Sequence, residues 1–375
     1  MLRPLRPAAL ALLVGVTLTA CSGTPDPGTA APTAVPPAPS APATSPAAPP
    51  PPAAGAPQVL ASGLEAPWGL AFLPGGDALV SERDTARLLR IPAAGGTPVE
   101  VGRIADARPA GEGGLLGLAV SPSYDTDGLV FAYVTTADDN RIVRLRLGEP
   151  PAPVLTGIPK GRIHNGGRLA FGPDGALYAG TGDTGNTAFA QDARSLGGKI
   201  LRMTPDGRPV PGAASVVFST GHRNVQGLAF DDAGRLWATE FGQNRFDEVN
   251  QVNEGDNGGW PAVEGAGTGG GRYAAPEVTW TTDEASPSGV AVLGDALYVA
   301  ALQGRRLWQV PLDGSGGTGR PAALLEGDFG RLRTAVTAPD GSLWVTTSNR
   351  DGRGDPAASD DRVLRLAPSS AASSL

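Results

Sequence analysis

The stretch Arg168-Leu169-Ala170-Phe171-Gly172-Pro173-Asp174-Gly175-Ala176-Leu177-Tyr178 tells most about how this chain folds. It reads as a short apolar strand, a tight turn and a second strand, because Asp-Gly between two apolar runs is a strong hairpin signal. Similar segments recur at residues 69–79, 117–122, 227–237, 289–298 and 335–344. The chain is therefore expected to consist of repeated β-hairpin units.

A third apolar run follows most of these hairpins, for example Ile142-Val143-Arg144-Leu145 and Ile200-Leu201-Arg202-Met203. The units are spaced about 45 to 60 residues apart, which is the range expected for propeller blades. Glycine and proline are frequent, as many tight turns require, and long amphipathic helical patterns are absent. The sequence predicts an all-β fold, a six-bladed β-propeller. A β-helix is the alternative, although its repeats would be shorter and more uniform.

The N-terminus carries the pattern of a processing signal. Arg3 and Arg6 precede an apolar segment, and Leu18-Thr19-Ala20-Cys21 follows it. This order resembles a bacterial lipoprotein signal peptide, after whose cleavage Cys21 becomes the lipidated first residue. We therefore expect residues 1–21 to be a lipoprotein signal. Membrane attachment would be through a lipid anchor on Cys21, on the outer face of the cytoplasmic membrane or in a periplasm.

Composition separates the rest of the chain into a folded part and two flanking segments. Residues 22–57 are mostly Pro, Ala, Thr and Ser, with too little apolar surface to form a core. They are predicted to be a disordered tether. The propeller domain is expected at 58–367, and a disordered tail at 368–375.

Charge and cysteine content exclude some classes of function. The net charge is −7 and no basic stripe stands out, so nucleic acid is not expected as a partner. Cys21 is the only cysteine, which excludes an intramolecular disulfide and a cysteine-bound zinc or iron–sulfur centre.

The chain has two histidines, and both lie in polar, glycine-rich motifs. His164 begins His164-Asn165-Gly166-Gly167-Arg168, and His222 lies in Gly221-His222-Arg223-Asn224. Histidine exchanges protons near neutral pH, so either could act in catalysis. We favour a structural role in a turn for His222 and a chemical role for His164.

Polar clusters occur at equivalent places in several blades, next to the predicted inner strand. Equivalent positions of a propeller converge on one mouth of its central channel, so these side chains should share a cavity. Several arginines beside carboxylates suit a planar, polyanionic ligand, because the guanidinium group binds carboxylates in bidentate fashion and stacks on flat rings. The residues are Glu112, His164, Asp183, Arg223, Asn224, Arg331 and Arg333.

The motifs around these residues, in their order and spacing, resemble the soluble glucose/sorbosone (aldose sugar) dehydrogenases that use pyrroloquinoline quinone (PQQ). The resemblance covers residues 58–366. Its most specific segments are Gly113–Gly117, His164–Leu169 with Gly182-Asp183, Gly221–Asn224 with Gln226-Gly227, and Glu240–Trp260.

The resemblance implies an activity and the residues that perform it. A sugar would be oxidised at its anomeric carbon to the lactone, with hydride transfer to PQQ. His164 would be the general base, Asp183 would orient it, and Arg223 would lie beside the quinone oxygen. The implied cofactor-binding positions are Asn224, Arg331, Arg333, Gln303 in place of a family lysine, and Glu112 in place of a family glutamine.

The resemblance also implies calcium on the quinone, held by the backbone carbonyls of Gly242 and Gln243. A second calcium would use carbonyls around Glu248 and Gly258, in a loop predicted at 247–257. Calcium accepts six to eight oxygen ligands in flexible geometry, so backbone oxygens suit it. The sequence departs from the family at Phe241, Gln243 and Gln303, and Glu112 adds a carboxylate near a cofactor that already carries three.

Two other functions remain open from the sequence. A metal-dependent propeller lactonase or hydrolase would place Glu112, Asp183, Asn165 and Asn224 on a central metal. A cell-surface module for glycans or proteins would use the tether and an acidic rim, although we interpret the acidic segment 351–361 as a solvated loop. For the dehydrogenase, the partners would be a sugar and a membrane-linked or soluble electron acceptor.

Overall fold

The chain forms six four-stranded antiparallel sheets, seen in a computed structural model that describes residues 56–367. The first three sheets follow one another along the sequence. Their strands are β2 (Pro67–Phe72), β3 (Ala78–Glu82), β4 (Arg87–Ile91) and β5 (Val99–Arg103); β6 (Leu115–Val120), β7 (Val130–Thr135), β8 (Asn140–Leu145) and β9 (Ala152–Ile158); and β10 (Leu169–Phe171), β11 (Leu177–Gly180), β12 (Ile200–Met203) and β13 (Val217–Ser219).

The last three sheets have the same internal order, and the sixth includes the first strand of the domain. Their strands are β14 (Val225–Phe230), β15 (Leu236–Glu240), β16 (Asp247–Val252) and β17 (Val278–Trp280); β18 (Pro287–Leu293), β19 (Ala296–Ala301), β20 (Arg306–Pro311) and β21 (Ala322–Leu324); and β22 (Leu332–Thr337), β23 (Leu343–Thr347), β24 (Val363–Leu366) and β1 (Gln58–Ala61). Two single-turn helices, α1 (Tyr124–Asp127) and α2 (Ala188–Gln191), lie in connections between strands.

The first strands of the six sheets form a closed ring. Each contacts the first strand of the next sheet, in the order β2, β6, β10, β14, β18, β22 and back to β2. The ring is completed by pairing of β1 with β24, so that the start and end of the domain share one sheet. Closure leaves only short strand edges, and the prediction of a six-bladed β-propeller is confirmed. The β-helix alternative is wrong.

The turn chemistry read from the repeats appears in the first hairpin of several blades. Gly172 and Ala338 each donate their N–H to the carbonyl four residues later, at 2.9 and 2.8 Å. The Asp-Gly glycines Gly175 and Gly341 have φ of 74° and 76°, which side chains rarely tolerate. The repeated Asp-Gly signal therefore marks a turn that needs glycine.

The glycine that begins the repeated Gly-Leu-Ala pattern has a different role, which is close packing of neighbouring blades. A Cβ at Gly69, Gly117, Gly227 or Gly289 would collide with the backbone of the next blade. The pairing register of each first strand also shifts at this position. These glycines let the inner strands approach each other tightly around the channel.

Six apolar clusters fill the six interfaces between adjacent blades. Trp68, Trp237 and Trp344 are the largest of the fully buried side chains. The inner strands begin at one mouth of the channel and end at the other, so residues at their starts share one surface. This geometry is what gathers the polar motifs of different blades.

Several sequence predictions fall outside residues 56–367. These are the lipoprotein signal at 1–21 with Cys21, nearly all of the tether at 22–57, and the tail at 368–375. Within the described residues, no helix is long and apolar enough to cross a membrane.

Candidate active site

A cavity of about 200 Å³ lies at the mouth where the inner strands begin. Its walls combine flat apolar groups with several guanidinium and carboxylate groups. The lining residues are Trp68, Arg83, Gly111, Glu112, Gln226, Phe241, Leu302, Arg333, Asp351, Gly352 and Arg353. The residues come from blades that are far apart in sequence, as a channel mouth requires.

His164 and Asp183 form a hydrogen-bonded pair next to this cavity. His164 Nδ1 is 2.7 Å from Asp183 Oδ1, and the His164 side chain is 12% exposed. An ionised carboxylate only accepts hydrogen bonds, so Nδ1 carries the proton and Nε2 keeps its lone pair. This tautomer lets Nε2 accept a proton from a substrate.

The Asp183 carboxylate is surrounded by hydrogen-bond donors. Trp260 Nε1 donates to Oδ2 at 2.9 Å, and the Gly185 N–H donates to Oδ1 at 2.8 Å. Burial alone would raise the pKa of Asp183, but the hydrogen bonds from His164, Gly185 and Trp260 hold that pKa below its ordinary value. Asp183 is therefore ionised throughout the neutral range and fixes the His164 tautomer.

The backbone of His164 is also held in place. Its φ is 52°, a left-handed conformation, and its N–H donates to Glu112 Oε2 at 2.8 Å. A Cβ at Gly182 would collide with the His164 carbonyl, which explains the glycine before Asp183. The segments around His164 and Asp183 therefore pack directly against each other, and Glu112 of the preceding blade holds the His164 backbone by a hydrogen bond.

Two buried nitrogen atoms beside the pair lack partners. Among the buried side-chain polar atoms of residues 56–367, Arg223 Nε and Asn224 Nδ2 are the two without a hydrogen bond. Arg223 Nη1 donates to the Phe241 carbonyl at 2.9 Å, and its guanidinium carbon lies 5.6 Å from the Trp260 ring centre. An unsatisfied buried donor costs about 1–3 kcal/mol. Such donors are typical of a site that awaits an acceptor from a ligand.

Asp351 contacts both predicted arginines, Arg331 and Arg333, although we expected its segment to be a solvated loop. Arg331 Nη2 and Arg333 Nη2 lie 3.0 and 3.4 Å from Asp351 Oδ2. Arg333 lines the cavity, whereas Arg331 does not. Residues 352–359 are mostly exposed, as expected for a solvated loop, but Asp351, Asp360 and Asp361 at its two ends are buried.

Glu112 lines the cavity, and its charge is balanced by a residue that the sequence did not indicate. Arg353 Nη2 lies 2.9 Å from Glu112 Oε1, although 241 positions separate the two residues. Arg83, which is bound to Asp84 at 2.6 Å, also lines the wall. The added carboxylate of Glu112 is therefore paired with Arg353, and Arg83 brings a further guanidinium group to the wall.

The structure does not bring Gln303 to the cavity. Gln303 is exposed in the turn between β19 and β20, while the preceding Leu302 is buried and lines the wall. The chain turns so that only one of these neighbours can face inward. The cavity wall therefore contains the apolar Leu302 at this turn, and the predicted cofactor-binding residue Gln303 does not line it.

Three of the four predicted calcium positions line a second, much smaller cavity of about 10 Å³. Gly242, Glu248 and Gly258 line it together with Arg223, Glu240 and Glu264, whereas Gln243 is exposed and does not. Glu248 lies on β16, so the predicted loop at 247–257 begins as a strand. Within the described residues, no three acidic, His or Cys side chains form a metal cluster on their own.

The surroundings of Glu248 suit a cation. Burial, together with the charge of Glu240, raises the pKa of Glu248 to about 8. Among the described residues, the carbonyl oxygens of Gly242 and Gly258 accept no hydrogen bond. The cavity is about the size of one water molecule or ion. A carboxylate and two free carbonyls are oxygen donors of the kind that calcium prefers.

His222 is saturated by protein partners. Its Nε2 lies 2.8 Å from Ser219 Oγ and its Nδ1 lies 2.8 Å from Glu240 Oε2. The residue is buried. Both nitrogens are occupied, as expected for the structural role that we favoured.

The side chains that a lactonase would use to bind its metal are hydrogen-bonded to other protein groups. Asn165 bonds through its Oδ1 to Asn140 and through its Nδ2 to the Gly161 carbonyl, at 2.9 and 2.8 Å. Asn224 Oδ1 accepts the Gly166 N–H at 3.0 Å. Asp183 is occupied by His164 and Trp260. The side-chain oxygens of all four residues, Glu112 included, therefore already accept hydrogen bonds from protein donors.

Comparisons with known proteins identify the family. The family model described as glucose / sorbosone dehydrogenase matches residues 64–358. A solved structure of the PQQ-bound aldose sugar dehydrogenase of Streptomyces coelicolor is 55% identical with a TM-score of 0.80, covering 82% of this chain and 96% of that one.

Two relatives are similar over most of their length. The aldose sugar dehydrogenase YliI of Escherichia coli is 28% identical, over 79% of this chain and 90% of that protein. An uncharacterized Synechocystis protein, slr1608, is 31% identical over 92% and 96%. The family match covers the propeller apart from β1 and β24, and it includes every residue that lines the cavity. The chain belongs to the glucose/sorbosone dehydrogenase family.

Proposed function

We propose that the protein oxidises an aldose sugar at its anomeric carbon to the lactone, with PQQ as the hydride acceptor. The observation that carries this proposal is the pair of unpartnered donors, Arg223 Nε and Asn224 Nδ2, beside the His164–Asp183 pair. When bound, PQQ supplies a quinone that accepts two electrons as a hydride. The donors provide hydrogen bonds for oxygens at the same place where His164 accepts a proton.

The cavity fits a flat, polyanionic cofactor. Phe241 contributes a half-buried aromatic ring to the wall, and the guanidinium groups of Arg83, Arg333 and Arg353 can bind carboxylates. Arg331 is a positioning residue, because it holds Asp351 against Arg333 and does not line the cavity. Asn224 would add a neutral hydrogen bond. These residues would hold PQQ by charge and stacking together.

The chain's own contribution to the reaction is proton transfer and electrostatics. His164 Nε2 accepts the proton of the anomeric hydroxyl, and ionised Asp183 stabilises the imidazolium that forms. Arg223 is buried and cationic, so it stabilises negative charge that develops on a nearby oxygen. Burial lowers the pKa of Arg223, but an arginine remains protonated at neutral pH.

We propose that calcium binds in the small cavity next to Arg223, through the Glu248 carboxylate and the carbonyls of Gly242 and Gly258. The raised pKa of Glu248, the two free carbonyls and the size of the cavity support this assignment. A divalent cation would neutralise the repulsion between Glu240 and Glu248. Gln243 is exposed and does not line this cavity, so it is not part of the proposed ligand set.

Calcium should stabilise the metal-free protein through Glu248. At a concentration one hundred times Kd, binding adds about 2.7 kcal/mol, which corresponds to roughly 4 °C in Tm for a domain of this size. Differential scanning calorimetry with and without calcium measures the shift. Glu248→Gln should abolish it, whereas Glu254→Gln, at an exposed carboxylate, should retain it. A full shift in Glu248→Gln would contradict the assignment.

Glu112 and Arg353 should have opposite effects on PQQ affinity. In Glu112→Gln, the amide oxygen can still accept the His164 N–H while Arg353 is released, so Kd for PQQ should fall about tenfold. Arg353→Gln removes the cation and leaves Glu112 unbalanced, so Kd should rise about tenfold. Quenching of tryptophan fluorescence on PQQ addition gives both values. Weaker binding in both variants would contradict this account.

The activity itself is tested by dye reduction. Purified protein with calcium and PQQ is mixed with an electron-accepting dye and a panel of aldoses, and the same protein without PQQ is the control. We expect PQQ-dependent dye reduction with at least one aldose and formation of its lactone. Lactone hydrolysis that needs metal but no PQQ would favour the hydrolase instead, and sugar binding without oxidation would favour the binding module.

We propose a lipid anchor on Cys21, with the propeller outside the cytoplasm and electrons passed to a membrane-linked or soluble acceptor. The support is the sequence Leu18-Thr19-Ala20-Cys21 after an apolar segment. Cys21→Ser should move the protein from the membrane fraction to the soluble fraction of the producing cell. Retention of the variant in the membrane would rule out this anchor.

A further inference from the structure

We propose a second ligand site at the opposite mouth of the channel, which binds a small organic anion with an apolar body. A cavity of about 470 Å³ opens there, lined by the final residues of all six inner strands. Its lining side chains are apolar except for Arg168 and Thr337, and Arg168 is the one charged residue among them. We call this cavity the funnel. Its apolar side chains would bind the body of the ligand, and Arg168 would bind its anionic group.

The funnel is a built feature of the propeller. Phe72, Phe171 and Phe230 line it, and each is fixed by edge-to-face packing with a core aromatic ring, namely Trp344, Phe131 and Tyr178, with ring centres 4.9 to 5.3 Å apart. Val120 and Val292 complete other sides of the wall. Rigid apolar walls of this kind favour burial of a hydrocarbon body.

Arg168 is buried without a neutralising carboxylate. It is 6% exposed, and it donates through Nε to the Gln226 carbonyl at 2.7 Å and through Nη2 to Thr334 Oγ1 at 3.2 Å. Both acceptors are neutral. Within residues 56–367, no carboxylate lies within ion-pair distance of Arg168. Its Nη1 makes no hydrogen bond to the protein and, unlike Arg223 Nε, is not a fully buried atom. An unpaired buried cation is costly, so an anion at this position would be strongly favoured.

Arg168 is not part of the active-site cavity, so a ligand bound there would not neutralise its charge. Arg168 does not line that cavity, and its guanidinium packs on the Trp68 ring at 4.4 Å. Arg333 also contacts the Trp68 ring, at 5.8 Å, but takes Asp351 as its counter-ion. The Trp68 side chain thus lies between Arg168 and the active-site cavity. Burial and the nearby charge of Arg333 lower the pKa of Arg168 to about 9, which is the effect of a missing counter-charge.

These features define the ligand by its chemistry. A carboxylate head would pair with Arg168, and an alkyl or aryl body of several carbons would fill the funnel. A neutral molecule of the same shape would leave the cation unpaired, and a bare inorganic anion would leave the apolar wall exposed to water. The expected ligand is therefore a medium-chain or aromatic carboxylate.

Calorimetric titration of the full chain with acetate, butanoate, hexanoate and octanoate tests the proposal. Burial of two further methylene groups should tighten Kd about tenfold at each step. Octanol should bind at least tenfold more weakly than octanoate. PQQ-saturated protein should bind octanoate as tightly as PQQ-free protein, because the two cavities are separate; this holds whether or not the protein is a dehydrogenase.

A matched pair of variants places the anion in the funnel. Val292→Glu and Val292→Gln alter the wall equally but differ in charge, so only the glutamate should weaken octanoate binding tenfold or more. Arg168→Gln should also weaken it at least tenfold, and circular dichroism checks that this variant is folded. The proposal is overturned if octanoate does not bind, if chain length has no effect, if PQQ displaces octanoate, or if Val292→Glu and Val292→Gln behave alike.

Discussion

The His164→Asn variant is expected to lose about a thousandfold in the rate of cofactor reduction, while its affinity for PQQ stays within a few-fold. General-base catalysis contributes about 10²- to 10⁴-fold, and the amide of asparagine cannot accept a proton at neutral pH. Asparagine is the suitable replacement because His164 has a φ of 52°, and asparagine tolerates that conformation better than most residues.

The measurement separates chemistry from binding. PQQ-loaded protein is mixed rapidly with a saturating aldose, and the cofactor absorbance is followed through one turnover. The PQQ titration of the same variant is the control for an intact cavity. A single-turnover rate within tenfold of the unaltered protein would mean that another group removes the proton.

Asp183→Asn is expected to have a comparable effect, of roughly a thousandfold on the same rate. Three donors face the Asp183 carboxylate, namely His164 Nδ1, Trp260 Nε1 and the Gly185 N–H. An amide has one oxygen, so its NH₂ group must meet one of these donors. If it faces His164, the ring adopts the tautomer with a proton on Nε2 and can no longer act as a base.

The control for this variant is Asp295→Asn, at an exposed aspartate on another blade. It should retain the full rate.

The pH dependence of stability gives a second readout for Asp183→Asn. Because the folded-state pKa of Asp183 lies below its ordinary value near 4, the stability it contributes is present above that value. This stability is lost as pH falls through the lowered pKa. Asp183→Asn should therefore be less stable than the unaltered protein at neutral pH, and the difference should shrink below about pH 4.

The fold was predictable from the sequence because its signals are local. Each Asp-Gly turn and its flanking strands lie within about eleven residues, and the blade period is visible as a repeat. The sequence also led us to His164 and Asp183, because their motifs flank the first hairpin of one blade: His164 precedes β10 and Asp183 follows β11. What it did not reveal is that the repeated glycines Gly69 and Gly117 are needed for contact between blades.

Parts of the site depend on pairings that no local pattern reveals. Glu112 meets Arg353 across 241 positions, and Arg331 meets Asp351 in a segment that we read as a solvated loop. Gln303 and Leu302 differ by one residue in sequence, yet the turn faces only Leu302 inward. Charge balance at a channel mouth is set by the arrangement of blades in space, and one sequence does not contain that information directly.

The most direct test of the dehydrogenase proposal is a PQQ titration of calcium-loaded protein, followed by addition of aldoses while the cofactor spectrum is recorded. The account predicts one PQQ per chain and conversion of the bound quinone to its reduced form by at least one aldose. Absence of binding at micromolar PQQ, or a bound quinone that no aldose reduces, would contradict it.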